Sequence, residues 1–191
     1  MLVLGLNGSP RTDGITTQLL KAALEGADAA GAETKSVFLY DLEVAPSDGC
    51  EKCVGTCDIH DDNDQLYSLY QEMDALIVAL PVYFENVPAH VKAAIDRCQA
   101  IWMDKHLNKK RIAPRKRPGA LIATAGSPNF LQFGYTWHVV RSWFTTVEVR
   151  MMRSQFIPGL DRPPAQQNFP LFVEDARKFG TDIVALAKEA N

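Results

Sequence analysis

Residues 75–80 read Ala-Leu-Ile-Val-Ala-Leu, an apolar succession with no polar alternation. A strand of that kind has no face to offer to water, so it belongs inside a sheet covered on both sides. The run extends to Phe84 through Pro81. Even so it is about half of the ~20 residues a membrane-crossing helix needs, and no membrane partner is expected. Around this strand, short apolar runs alternate with helical patterns. Residues 2–7, 34–40, 119–125 and, less regularly, 150–157 are further strand-like runs. Leu19, Leu20, Ala23, Leu24, Ala27 and Ala30 form one helical face, and Val87, Val91, Ala94, Ile95, Cys98 and Trp102 another. Residues 135–146 suit a helix, and Phe172, Ala176, Phe179, Ile183 and Leu186 mark a closing amphipathic one. Asp62 stands three residues before Gln65, a capping-box spacing that predicts a helix to about Glu72.

Five strands interleaved with helices predict an α/β fold, a doubly wound five-stranded parallel sheet. The 191 residues, 47% of them hydrophobic, suit one domain spanning 1–191. The net charge of −3 argues against nucleic acid as a partner, which usually calls for a basic surplus. No secretory signal opens the chain, so its four cysteines point to a reducing, cytoplasmic setting. In such sheets ligands bind beyond the carboxyl ends of the strands. The loops after the strands therefore carry the functional reading.

After the first strand comes Asn7-Gly8-Ser9-Pro10-Arg11-Thr12-Asp13-Gly14-Ile15-Thr16-Thr17. It supplies hydroxyls at Ser9, Thr16 and Thr17, a guanidinium at Arg11, the backbone freedom of Gly14 and then a helix N-terminus. Together these favour an anion, and most simply a phosphate monoester. No Gly-Lys-Ser/Thr follows, so it is not a Walker loop, and the Gly-x-Gly-x-x-Gly dinucleotide fingerprint is missing. Pro81-Val82-Tyr83-Phe84-Glu85-Asn86-Val87-Pro88 follows the buried strand, with two aromatics able to flank a flat ring. Thr124-Ala125-Gly126-Ser127 follows the fourth strand, where Gly126 permits close backbone approach and Thr124 and Ser127 offer hydroxyls.

Gly8-Ser9-Pro10-Arg11 with Gly14-x-Thr16-Thr17, then Pro81-Val82-Tyr83-Phe84, then Lys92 to Asp96-Arg97, resembles the NADPH-dependent FMN reductase and iron–sulfur flavoprotein group of flavodoxin-like proteins. The resemblance covers roughly the first 130 residues. It implies strand order 2-1-3-4-5 and bound FMN, with the phosphate held by Ser9, Arg11, Thr16 and Thr17. It also implies that residues 81–84 contact the flavin, with Asn86 as a polar contact. The activity implied is NAD(P)H-dependent reduction of a small-molecule acceptor, a flavin or quinone, by hydride transfer through FMN. The cofactor carries that chemistry, so no side-chain acid or base need be catalytic. Self-association as a homodimer or homotetramer is the family expectation. The alternative is an electron carrier of the iron–sulfur flavoprotein kind, passing electrons between protein partners.

Cys50-x-x-Cys53-x-x-x-Cys57, with His60 close behind, lies in the polar stretch after the second strand. The iron–sulfur relatives resemble Cys-x-x-Cys-x-x-Cys, a fourth Cys and an Asp-Asp pair there. Here Ser47 stands in the place of the first cysteine while Asp61-Asp62 keep the pair. Four readings are open: a family loop without metal, an iron–sulfur cluster on Cys50, Cys53 and Cys57 with an unusual fourth ligand, zinc on those thiols and His60, or a redox-active Cys50–Cys53 pair. Cys98 falls on an apolar helical face and reads as core.

Lys105, Lys109, Lys110, Arg111, Arg115, Lys116 and Arg117 read as a solvated basic connection, or one that attracts the 2′-phosphate of NADPH or an acidic partner. Asp96-Arg97 reads as a structural ion pair or an interface contact. Trp102, Trp137 and Trp143 read as core or interface.

Overall fold

A computed structural model describes residues 1–50, 53 and 57–189. Five strands, β1 (Leu2–Asn7), β2 (Glu33–Phe38), β3 (Ala75–Pro81), β4 (Arg117–Thr124) and β5 (Val149–Ile157), pair in parallel in the order β2-β1-β3-β4-β5. The helices are α1 (Ile15–Ala29), α2 (Asn63–Glu72), α3 (Ala89–Arg97), α4 (Gln99–Leu107), α5 (Phe133–Thr146), α6 (Pro163–Gln167) and α7 (Phe169–Glu189). None of the described helices is long and apolar enough to cross a membrane.

β3 is apolar on both faces because both faces are covered. Ala75, Ile77 and Ala79 pack with α1 and α7, while Leu76, Val78 and Leu80 pack with α2, α3, α4 and α5. The alternation of side chains across a strand divides one apolar run between two cores.

Four expectations are corrected by the structure. The helical face from Val87 to Trp102 belongs to two helices, α3 and α4, which meet at Cys98. The Arg97 carbonyl there accepts the Tyr67 hydroxyl, a donor from outside the helix. The Asp62 side chain does not cap α2. Its carboxylate accepts the Glu43 amide at 2.8 Å instead, and Asp61 accepts the Asn63 amide at 2.9 Å. Asp96 pairs with Lys92 at 2.8 Å, not with Arg97. The basic run is only partly a solvated connection. Arg117 is buried and donates to the carbonyls of Tyr70 (2.6 Å), Met73 (3.0 Å) and Val147 (2.6 Å). Burial lowers its pKa to about 10. Lys105 and Arg111 both reach the buried Glu148, at 2.8 and 2.6 Å.

α1 and α7 cross through reciprocal glycines. A Cβ at Gly180 would stand 1.8 Å from the Ala23 carbonyl oxygen, and one at Gly26 would stand 1.9 Å from the Arg177 carbonyl oxygen. These are backbone atoms, so a methyl group can be admitted only by separating the helices. Gly180→Ala is therefore expected to destabilise the fold by about 1–3 kcal/mol despite alanine's better helix propensity. Urea unfolding measures this, and an unchanged or raised midpoint would contradict the close crossing.

Candidate functional site

The parallel register aligns the carboxyl ends of β1, β3 and β4: Asn7 pairs with Ala79, and Pro81 with Thr124. The loops after these strands meet there around a cavity of about 340 Å³. That volume lies within the ~300–1,000 Å³ common for small-molecule sites. Its walls are Ser9, Arg11, Gly14, Ile15 and Thr16 from the first loop and helix, Pro81, Val82 and Tyr83 from the third strand, and Thr124, Ala125 and Gly126 from the fourth. Leu160 and Asp161, from the loop after β5, close the remaining side.

Asn7 shapes the first loop. It is fully buried; its side-chain carbonyl accepts the Ser9 amide at 2.8 Å and its amide donates to the Thr17 hydroxyl at 2.9 Å. The Gly8 amide donates to the Ala79 carbonyl at 2.8 Å, fixing the loop to β3. The Ser9 hydroxyl accepts the Arg11 amide at 3.1 Å. Gly14 then begins α1 without a side-chain cap, and no acidic residue lies in the first turn. The first-turn amides and the helix dipole thus present unneutralised positive character beside Arg11. The Thr16 and Thr124 hydroxyls are hydrogen-bonded to each other at 2.7 Å, tying this end to the β4 loop.

Nine of the residues singled out in the sequence line this cavity: Ser9, Arg11, Gly14, Thr16, Pro81, Val82, Tyr83, Thr124 and Gly126. Four do not. The Thr17 hydroxyl donates to the Arg11 carbonyl at 2.7 Å and holds the loop from behind. Tyr83 and Asn86 exchange main-chain hydrogen bonds at 2.9 and 3.0 Å around a two-residue turn, leaving Phe84 fully exposed. Phe84 and Glu85 both take left-handed φ, 50° and 62°, as a type I′ turn requires. Asn86 accepts its neighbour's amide, from Val87 at 2.8 Å, and Ser127 accepts the Asn129 amide at 3.3 Å. Sequence reasoning missed Asn7, Ile15, Ala125, Leu160 and Asp161. An asparagine closing a strand ahead of Gly-Ser was the available signal for Asn7.

The cysteine loop lies elsewhere, between the end of α3 and the start of α2. Glu51, Lys52 and residues 54–56 are outside the described residues. Cys50 is partly buried, Cys53 and Cys57 are buried, and the Cys53 thiol lies against both of the others. Burial, reinforced by the neighbouring thiols, pushes the Cys53 thiol up to about 11. A four-iron cluster normally takes four thiolates. Three are present, and the Ser47 hydroxyl in the remaining position accepts the Gly49 amide at 3.4 Å. Among the described residues no group of three or more His, Cys, Asp or Glu side chains is arranged to hold a metal ion, and the His60 ring faces Asp64 at 3.3 Å. The donor set does not fit a four-thiolate cluster. What holds this loop is Arg97, buried at the end of α3. It donates to the Ala45 carbonyl (3.0 Å), the Ile59 carbonyl (2.7 Å) and the Asp61 carboxylate (2.6 Å), and also touches the Cys57 thiol. Cys98 is buried against α5, where desolvation pushes its thiol up to about 12.

The model of a family described as NADPH-dependent FMN reductase matches residues 1–157. An iron–sulfur flavoprotein of Methanosarcina thermophila is 38% identical over 68% of this chain and 65% of its own length. A second, from Methanocaldococcus jannaschii, is 29% identical over 98% of both chains. Among solved structures, the NAD(P)H:quinone oxidoreductase from Methanothermobacter marburgensis superposes with a TM-score of 0.74 at 19% identity, covering 96% of this chain and 98% of that one. At that identity the superposition establishes the flavodoxin-like fold.

Burial opposes ionisation of Asp61, but the Arg97 guanidinium and the Ala45 and Asn63 amides outweigh it and hold the carboxyl below its ordinary value. A carboxylate lowered on folding stabilises the protein above its unfolded pKa, near 4, and loses that contribution as pH falls through the folded value. Arg97→Ala is expected to cost about 3 kcal/mol at pH 7, since it strands a mostly buried carboxylate. It should also flatten the loss of stability below about pH 4. Urea unfolding across pH measures both, and a cost under 1 kcal/mol would contradict the anchoring role of Arg97.

Proposed function

Because the chain belongs to the NADPH-dependent FMN reductase family, we propose that it is an FMN-dependent oxidoreductase that uses NAD(P)H to reduce a small acceptor such as a flavin or quinone. The observation that carries this reading is the uncapped start of α1, opening with Ser9 and Arg11 into the same cavity as the β3 and β4 loops. When bound there, FMN supplies the redox chemistry, accepting reducing equivalents from a nicotinamide and passing them on.

The residues present fit that cofactor. Unpaired amides of the first turn and the Arg11 guanidinium suit the phosphate, which needs donors and positive charge. The Thr16–Thr124 hydroxyl pair is polar and central, suited to the ribityl hydroxyls. Pro81, Val82 and Tyr83 give an apolar wall with rigid backbone for the ring. Ala125 and Gly126 bring main chain to the cavity wall without intervening bulk. Tyr83, Phe84, Phe130, Leu131 and Tyr135 remain exposed. They offer aromatic surface for a nicotinamide, a flat acceptor or a second subunit.

An electron carrier remains the second reading, because two relatives are named iron–sulfur flavoproteins. It needs a cluster for which three thiols and Ser47 do not provide the normal ligands. Iron analysis of protein purified without oxygen separates the readings. Flavin with little iron is expected, whereas about four irons per chain would favour the carrier.

The phosphate assignment has its own test. Arg11→Ala should weaken FMN binding by roughly 10–100-fold, the loss of a charge-assisted hydrogen bond. Riboflavin, which has no phosphate, should bind the variant and the parent alike. Fluorescence titration with both ligands checks this, and equal losses for the two would place Arg11 away from the phosphate.

A further inference from the structure

The loop after β5 brings a carboxylate into the cavity that the other three loops form. Asp161 lines it together with Leu160, in a cavity whose other walls carry Arg11, hydroxyls, main chain and the apolar Pro81 and Val82. Its carboxylate lies directly on Gly126. A Cβ at position 126 would stand 2.1 Å from Oδ2 and 3.1 Å from Oδ1 of Asp161, so the acid fills the space that a side chain there would take. The loop is stapled to the end of β4. The Leu160 amide donates to the Ala125 carbonyl at 3.0 Å, the Gly159 amide to the Ser127 carbonyl at 2.9 Å, and the Arg162 amide to the Gly159 carbonyl at 2.9 Å. Gly159 makes the turn at φ 73°, a conformation that suits glycine. The placement of the carboxylate therefore follows from main-chain bonds. Asp161 itself is exposed to solvent.

We propose that Asp161 sets the reduction potential of the bound flavin, by holding a negative charge beside Gly126 in the FMN cavity. This rests on the FMN reading given above. Two electrons and one proton convert the oxidised ring to an anionic reduced one, so reduction adds negative charge to the cavity. A carboxylate there disfavours the reduced form more than the oxidised form because like charges repel, an effect that the exposure of Asp161 to solvent weakens without removing. Asp161 thus lowers the potential and makes the bound flavin a stronger reductant. The residue is a positioning and tuning group; it neither donates nor removes a proton.

The experiment compares flavin-loaded parent, Asp161→Asn and Asp161→Glu by equilibration with reference dyes, together with dissociation constants for oxidised and reduced FMN. Asp161→Asn should bind oxidised FMN within about threefold of the parent. It should raise the ratio of oxidised to reduced dissociation constants about tenfold, equivalent to a potential ~30 mV more positive for a two-electron couple. Asp161→Glu keeps the charge and should keep the parent potential. An unchanged potential in flavin-loaded Asp161→Asn would overturn the proposal. Failure of the parent itself to take up FMN would remove the FMN reading and the proposal with it, and is a separate observation.

Discussion

The central strand decides where chemistry can occur. β3 is packed on both faces by apolar side chains, with Leu76, Val78 and Leu80 turned to one core and Ala75, Ile77 and Ala79 to the other. A polar side chain along its length would be buried without a partner. Polar groups are therefore displaced to the strand ends, and parallel register brings the carboxyl ends of β1, β3 and β4 to one edge. The first loop is seated on that edge by two buried contacts, the Gly8 amide on the Ala79 carbonyl and the Asn7 side chain beneath Ser9 and Thr17. The cavity is thus a consequence of how the middle of the sheet is buried.

The same constraint explains the two buried arginines. Arg117 enters β4 where three carbonyls, from Tyr70, Met73 and Val147, lack a main-chain donor, and its guanidinium satisfies all three. Arg97 does the equivalent for the loop before α2, gathering the Ala45 and Ile59 carbonyls and the Asp61 carboxylate. A planar group with several fixed donors suits such a gathering of acceptors better than an ammonium does. Glu148, buried at φ 56° and held by Lys105 and Arg111, completes a charged layer under the start of β4. Much of what looks in sequence like a basic surface is internal bracing.

The strands were legible because their apolar runs are short, unbroken and bounded, and strand order followed from the resemblance rather than from the runs themselves. Most of the cavity was legible for the same reason: loops after buried strands are where such sheets bind ligands. What escaped reading depended on side-chain direction. Thr17 and Thr16 are neighbours with the same hydroxyl, yet one braces the loop and the other faces the cavity. Helical geometry turns them about 100° apart, and only the position of Asn7 decides which is which. Phe84 is a ring contact by the family resemblance, and the left-handed turn at 84–85 that holds it out in solvent, beyond the cavity lining, was not legible in the sequence. Asp161 was missed because it lies in the proline-rich stretch after the run at 150–157, which lacks the combined glycine and hydroxyl pattern that marks the loops after β1 and β4. Asp62 was read as a helix start and Asp61 only as half of a family pair, whereas their partners, Glu43 and Arg97, lie far along the chain.

The cavity gathers several local costs on one rim. A glycine at the α1 start in place of a capping side chain forgoes roughly a few tenths of a kcal/mol, and each left-handed residue at 84 and 85 costs roughly 1–2 kcal/mol. Neither is relieved by a neighbouring side chain: Gly14 has none to offer, and Phe84 points into water. The fold tolerates these costs because its rigidity comes from the opposite side, where α1 and α7 approach closely enough to exclude a methyl group at Gly26 and Gly180. A ligand with acceptors at one end and donors further along would satisfy the α1 amides and Arg11, while its hydroxyls met the Thr16–Thr124 pair. Its binding free energy would then stabilise the whole domain by mass action, with the largest effect at the rim where the unliganded protein is least satisfied.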